Sequence, residues 1–184
     1  MNIVAMGVDD VDALIEFFGA VPEGDLTFVK EDVADPAVVA GWVGTPGRHW
    51  LAVGEADDPT RIVGFAAVRP YTGWSDHVGE LRLIVHPRHR GAGVGKRLAR
   101  HALADAVAGG LKKIVVELPA EQEPAIDMFS GLGFTGEALL RDHIRDRDGT
   151  LRDLVMLAHL VDEAWATLAA VGLAEESATG GTTP

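Results

Sequence analysis

Residues 81–103, LRLIVHPRHRGAGVGKRLARHAL, run an apolar segment into a proline, then three alternating glycines, then an amphipathic pattern. The apolar part, closed by Pro87, reads as the end of a strand over 78–87. From Gly93 to Ala108, Val94, Leu98, Ala102, Leu103 and Val107 recur at helical spacing, and Gly109-Gly110 stops the helix. Between strand and helix stand Gly91, Gly93 and Gly95, in a region (81–104) with six Lys or Arg and no Asp or Glu. The rest of the chain has the opposite sign. Residues 1–60 hold twelve acidic residues against Lys30 and Arg48 alone, and the formal net charge is -12.

A basic island in an acidic chain is a candidate site for a multiply charged anion. Glycines let backbone N–H groups approach an anion with no Cβ in the way. A helix N-terminus adds unpaired donors and a favourable dipole. Arg90, Lys96 and Arg97 supply counter-charge. Two familiar phosphate loops do not match. A P-loop ending at Gly95-Lys96 requires glycine at 90 and a hydroxyl at 97, where the chain has Arg90 and Arg97. A dinucleotide loop requires G-x-G-x-x-G, and position 96 is Lys96.

The remaining composition narrows the class. At 184 residues and 47% hydrophobic, the chain suits one domain with a sizeable core. The net negative charge argues against general binding to nucleic acid or an anionic membrane. The chain has no cysteine, which excludes disulfides, thiolate metal sites and a cysteine nucleophile. No apolar run approaches the roughly 18 residues of a membrane span. The opening MNIVAMGVDD lacks the pattern of a signal peptide, so a cytoplasmic protein is expected. The seven histidines show no metal-binding spacing, so no metal is expected, and His86, His89 and His101 are expected to face solvent.

Outward from the glycine stretch, the pattern alternates between the two periodicities. A helix is expected over 9–19 and another from Pro36, then a hairpin of strands at 49–55 and 61–70. After the glycine helix come a short strand at 112–118, a helix over 124–134, and strands near 135–146 and 150–160 joined at Asp148-Gly149. A last helix is expected over 161–173 and a disordered tail over 174–184. The order predicts one mixed α/β (α+β) domain over 1–160, a central sheet flanked by helices.

The stretch at 81–103 resembles the cofactor motif of the GNAT superfamily of N-acetyltransferases: apolar strand, V-x-P, then [QR]-G-x-G-x-[GA] at a helix start. VVELPAEQEPAIDMFSGLGF, residues 115–134, is similar to the family's second motif, a strand followed by A-x-x-x-[YF] and a Gly-Phe end. The resemblance implies a mixed sheet whose splayed strands admit acetyl-CoA as co-substrate. It implies backbone pairing of the pantetheine arm at Leu83, Ile84 and Val85. It places the pyrophosphate on Arg90, Gly91, Ala92, Gly93, Val94, Gly95 and Lys96. It makes Val85 the candidate donor to the thioester oxygen, and makes a homodimer an expectation.

The implied reaction is direct acetyl transfer to a primary amine of a small molecule or a protein. The amine must lose a proton, which calls for a carboxylate. Glu80 and Glu117 match positions where family members carry catalytic carboxylates, and both stay open as the base. By alternation Glu80 shares a strand face with Arg82, so an ion pair with Arg82 or Arg100 is its structural alternative. The tyrosine that many members use as acid, seven residues after an asparagine, falls here on Phe129 and Gln122. Both are expected near the cofactor, yet phenylalanine has no proton to give. The lone tyrosine, Tyr71, and Trp74 lie in a loop that either lines a substrate mouth or anchors itself in the core. The charged hairpin RDHIRDRDGTLRD reads as a solvated, salt-bridged surface. The missing tyrosine motivates a second reading, an acyl-CoA-binding sensor with weak or no turnover.

Overall fold

The computed structural model describes residues 1–26, 29–43, 48–55, 61–146 and 148–161. Strand β1 (Asn2–Ala5) opens the chain, followed by helices α1 (Val11–Gly19), α2 (Glu23–Leu26) and α3 (Pro36–Ala40). Strands β2 (Arg48–Val53), β3 (Ile62–Pro70) and β4 (Val78–Val85) lead to the long helix α4 (Val94–Ala108). Then come β5 (Lys113–Pro119), α5 (Glu123–Ser130), β6 (Thr135–Arg145) and β7 (Leu151–Leu160). Apart from Val161, the expected helix at 161–173 lies outside the described residues, as does the tail at 174–184.

The strands form one seven-stranded sheet in the order β1-β2-β3-β4-β5-β7-β6. Every pairing is antiparallel except β4 with β5, where α4 supplies the crossover that a parallel pair requires. The mixed architecture is the one expected. Two elements went unpredicted. β1 is an edge strand of four residues paired only with β2, and its mostly exposed side chains leave no alternating apolar signal to read. α2 has four residues, too few for a helical period to show.

Helices cover both faces. On one, α4 lays Leu98, Ala99, Ala102 and Ala106 against Ala66, Val68, Leu81 and Ile114 of the sheet. Its alanines allow close approach, and Gly64 on β3 completes the fit, since a Cβ there would stand 2.7 Å from Leu98 Cδ1. On the other face, Leu14, Phe17 and Phe18 of α1 and Val39 of α3 pack on Leu51, Phe65 and Ala67. Residues 62–68 of β3 are all buried, the mark of a central strand covered on both sides.

His49 sits in this second core, stacked within 5.7 Å of the Trp42 ring and 6.0 Å of Phe65. Its Nε2 has no hydrogen-bond partner among the described residues. Burial, reinforced by the nearby positive charge of Arg69, pushes its imidazole below the usual value of 6.5. The folded state therefore favours neutral His49. Its stabilisation is complete above the unfolded value and is lost as pH falls toward and through the depressed folded one. Thermal unfolding should show stability falling as the pH is taken from neutral to mildly acidic. His49→Phe, which keeps the stack and cannot protonate, should flatten that slope.

Two of the three histidines expected to face solvent, His86 and His101, are turned inward. His86 is only 6% exposed. It packs its ring 6.1 Å from Phe17, and its Nδ1 accepts a hydrogen bond from the Arg88 backbone N–H at 3.2 Å. His101 makes an edge contact with Trp50 at 4.4 Å, and His89 a similar one with His86 at 5.6 Å. His86 and His101 thus serve packing, because the turn after β4 folds back over α1 and α4 lies flat on the sheet. Trp74, on a single tight turn at Gly73–Ser75, is 96% exposed and anchors nothing. In the β6–β7 hairpin, Arg152 pairs with Asp146 at 2.5 Å and with Glu121 at 3.6 Å, as suits a salt-bridged surface.

Candidate functional site

The parallel ladder between β4 and β5 is short. It runs from Val78↔Lys113 to Glu80↔Val115 and stops. Beyond that point β4 stays on β3, from Val68↔Leu81 to Gly64↔Val85, while β5 stays on β7 as far as Pro119↔Leu154. The two strands therefore fork. The inner edge of Leu81–Val85 faces a cleft of about 740 Å³ instead of a partner strand. That volume suits a small-molecule site, and an unpaired strand edge offers N–H and C=O groups to an extended ligand.

The glycine loop closes one end of the cleft. After a tight turn at Pro87–His89, Gly91 and Gly93 take φ of +76° and +79°, a region costly to residues with a Cβ. Among the described residues nothing lies within 4 Å of where a Cβ would stand at either position. Gly93 caps α4 with no side-chain acceptor, and the first amide of the helix to find a helical partner is Arg97 N–H, bonded to Gly93 O at 3.1 Å. The amides of Val94, Gly95 and Lys96, for which no partner is seen among the described residues, are thus the open donors of a fifteen-residue helix, beside the cleft. Gly95 has a different reason. A Cβ there would press on Met128 Sδ at 3.3 Å and Val85 Cγ2 at 3.4 Å, filling the seam between α4, β4 and α5.

The basic side chains are partly engaged. Arg90 pairs with Asp25 at 2.7 Å and donates from Nε to Val85 O at 3.3 Å. Arg97 donates to Met1 O at 3.2 Å. Lys96 lines the cleft, and no ion pair is seen for it among the described residues.

At the fork the charges converge. Lys30 Nζ lies 2.7 Å from Glu80 Oε1 and 2.7 Å from Glu117 Oε2. Glu80 also accepts from Arg82 at 2.8 Å, the ion pair foreseen by alternation, while among the described residues no such pair is seen for Arg100. Arg82 and Arg69 both bind Glu31. Three cations and three carboxylates are thus joined in one balanced cluster. Burial would raise the Glu80 carboxyl, but the bonds from Arg82 and Lys30 outweigh it and hold the group below its usual range. Burial would lower the Lys30 ammonium, and Glu117 and Glu80 together hold it above its usual value. The Tyr71 hydroxyl is pushed up, by burial first and then by the charges of Glu80 and Glu117, so it stays protonated within their field.

The cleft gathers the expected residues with one exception. Glu80, Glu117, Leu83, Ile84 and Val85 border it, as do Arg90, Gly91, Gly93, Val94, Gly95 and Lys96. Gln122 and Phe129 complete the wall, the latter also packed edge-on against Phe134 at 5.2 Å. Ala92 is exposed and does not line it. Lys30, Glu31, Asp25 and Arg69 border the cleft without a sequence signal, since their partners are distant in the chain and no spacing links them.

A family description, "Acetyltransferase (GNAT) family", matches residues 15–134, well over half of the chain. Streptothricin acetyltransferase of Streptomyces lavendulae is 33% identical over 125 residues, covering 60% of this chain and 64% of that protein. N-acetyltransferase 8F1 of Rattus norvegicus is 29% identical over 134 residues, covering 69% and 58%. The chain thus spans about three-fifths of the length of these curated relatives. Among solved structures, a ribosomal-protein-alanine N-acetyltransferase from Brucella melitensis superposes with TM-score 0.74 at 18% identity, over 88% of this chain and 100% of that one. A putative acetyltransferase from Salmonella typhimurium, solved with its cofactor acetyl-CoA, superposes with TM-score 0.72 at 18% identity, over 88% and 94%. These structures share the fold. The family match, on a chain whose parallel pair forks beside a glycine-capped helix, places this protein in the GNAT acetyltransferase family.

Proposed function

We propose that the protein is an acyl-CoA-dependent N-acetyltransferase that moves an acetyl group from acetyl-CoA directly to a primary amine. One observation carries the reading: two carboxylates meet on one ammonium at the fork of β4 and β5, in the same cleft as the glycine loop. The amides of Gly91 and of Gly93 to Lys96 hold the pyrophosphate, helped by Lys96. The edge of Leu83, Ile84 and Val85 pairs with the pantetheine arm. Gly95 fits this assignment because its missing side chain keeps the wall between loop and strand thin.

The acceptor ammonium takes the place of Lys30 between Glu80 and Glu117. Of the two, Glu117 is the base. Glu80 is fixed as an anion by Arg82, whatever the acceptor does, whereas the ion pair seen for Glu117 is with Lys30, which the acceptor displaces. Glu117 takes one proton, the amine attacks the thioester carbonyl, the C–S bond breaks, and the second amine proton ends on the thiol. The carbonyl carbon must lie near the carboxylates, and Val85 stands about 13 Å from Leu81 along the strand. The oxyanion donor is therefore an amide near the fork, at Leu81 to Leu83, in place of Val85. A cytoplasmic location and a homodimer belong to the same reading.

Calorimetric titration with acetyl-CoA, followed by thiol release against a panel of primary amines, tests it. Micromolar binding with amine-dependent release supports the transferase. Binding without release favours the sensor reading. No binding removes both.

A further inference from the structure

Lys30 is placed as an acceptor would be. Its Nζ sits at hydrogen-bond distance from both carboxylates, and its side chain is 46% exposed, so it can turn within the cleft. The chain has four lysines. Only Lys30 and Lys96 border the cleft, and Lys96 stands at the anion loop, at the far end from the fork. Lys113 is engaged with Glu137 on the outer sheet. The N-terminal amine is held by Glu55 at 2.6 Å. One amine alone therefore shares the fork with the carboxylate pair.

We infer that Lys30 is an internal acceptor: with acetyl-CoA bound and no amine substrate present, the protein acetylates its own Lys30 in cis. This rests on the proposed transferase reading and extends it to a modification site. The ammonium first gives one proton to Glu117, and Nζ then attacks the thioester carbonyl carbon. The C–N bond forms, the C–S bond breaks, and the sulfur leaves with the bonding pair. The second Nζ proton passes to sulfur, giving an amide and free CoA thiol; no oxidant or reductant is needed. The reaction is slow, because the same carboxylates that orient Lys30 keep it protonated.

The product alters the site. Acetylation removes one of the three positive charges in the balanced cluster and leaves a net negative charge between Glu80 and Glu117. A cationic amine then enters without displacing a competing ammonium.

The test is incubation of the full chain with acetyl-CoA and no amine, followed by intact mass and peptide mapping, with calorimetry on the same sample. The expected result is one acetyl group per chain, on Lys30, at a first-order rate independent of protein concentration. K30R should carry no label there, and denatured protein should lose the preference for Lys30. Labelling of Lys96, Lys112, Lys113 or Met1 as fast as Lys30 overturns the inference, as does a rate that rises with protein concentration. Acetyl-CoA binding with Lys30 unlabelled overturns it too and leaves the transferase reading standing. Failure to bind acetyl-CoA overturns both.

Discussion

Gly93→Asp is expected to lower acetyl-CoA affinity by about a hundredfold or more while leaving the protein folded. Asp tolerates the left-handed backbone better than most residues, and at a helix N-cap its carboxylate accepts from the amides of the first turn. Stability at Gly93, with φ of +79°, should therefore fall by only about 1–2 kcal/mol, the cost of a left-handed residue with a Cβ. The carboxylate would occupy the space a pyrophosphate needs and take up the donors meant for it. Loss of two or three charge-assisted bonds at about 1.5–3 kcal/mol each, with tenfold per 1.4 kcal/mol, sets the expected magnitude. Gly93→Val separates strain from chemistry, since a β-branched residue at positive φ should also lower the unfolding temperature. Calorimetry and thermal melts read the two effects apart. Wild-type affinity in the aspartate variant would refute the pyrophosphate loop.

The second large effect distinguishes the two carboxylates. Glu117→Gln should reduce kcat by about 10²- to 10⁴-fold, the usual contribution of a positioned general base, with acetyl-CoA affinity preserved. Glu80→Gln should behave differently. It leaves Arg82 and Lys30 short of a partner at a carboxylate only 7% exposed, so the protein should lose stability and the amine KM should rise more than kcat falls. Glu80 lies below its usual range, so its stabilising ion pairs are present above the ordinary carboxylate value of 4.5 and are lost as pH falls through the depressed one. An equal loss of kcat in both variants would reject the division of roles.

Much of the fold was readable because its signals are local. The glycine loop, the helix Val94–Ala108 and the strand before it occupy consecutive residues, and the turn chemistry of Gly91 and Gly93 is a property of single positions. The hairpins and the crossover helix follow from period and length alone. β1 escaped because an edge strand with exposed side chains borrows its stability from the ladder of β2, which no window of sequence contains. His86 escaped for a related reason: Arg88 and Arg90, just after it in sequence, are exposed, but its neighbour in space is Phe17.

By itself the sequence determined that a basic, glycine-rich helix start follows an apolar strand, and that Glu80 and Glu117 lie on strands flanking it. These depend on backbone conformations a few residues long. Only the tertiary structure decided that β4 and β5 part after Glu80↔Val115, that Ala92 stays out of the cleft lining, and that Lys30 closes the gap between the carboxylates. Burial and opposite charge choose such partners across the whole chain, because a carboxylate withdrawn from water is stable only where a cation meets it. Which cation that is depends on what the fold brings within reach.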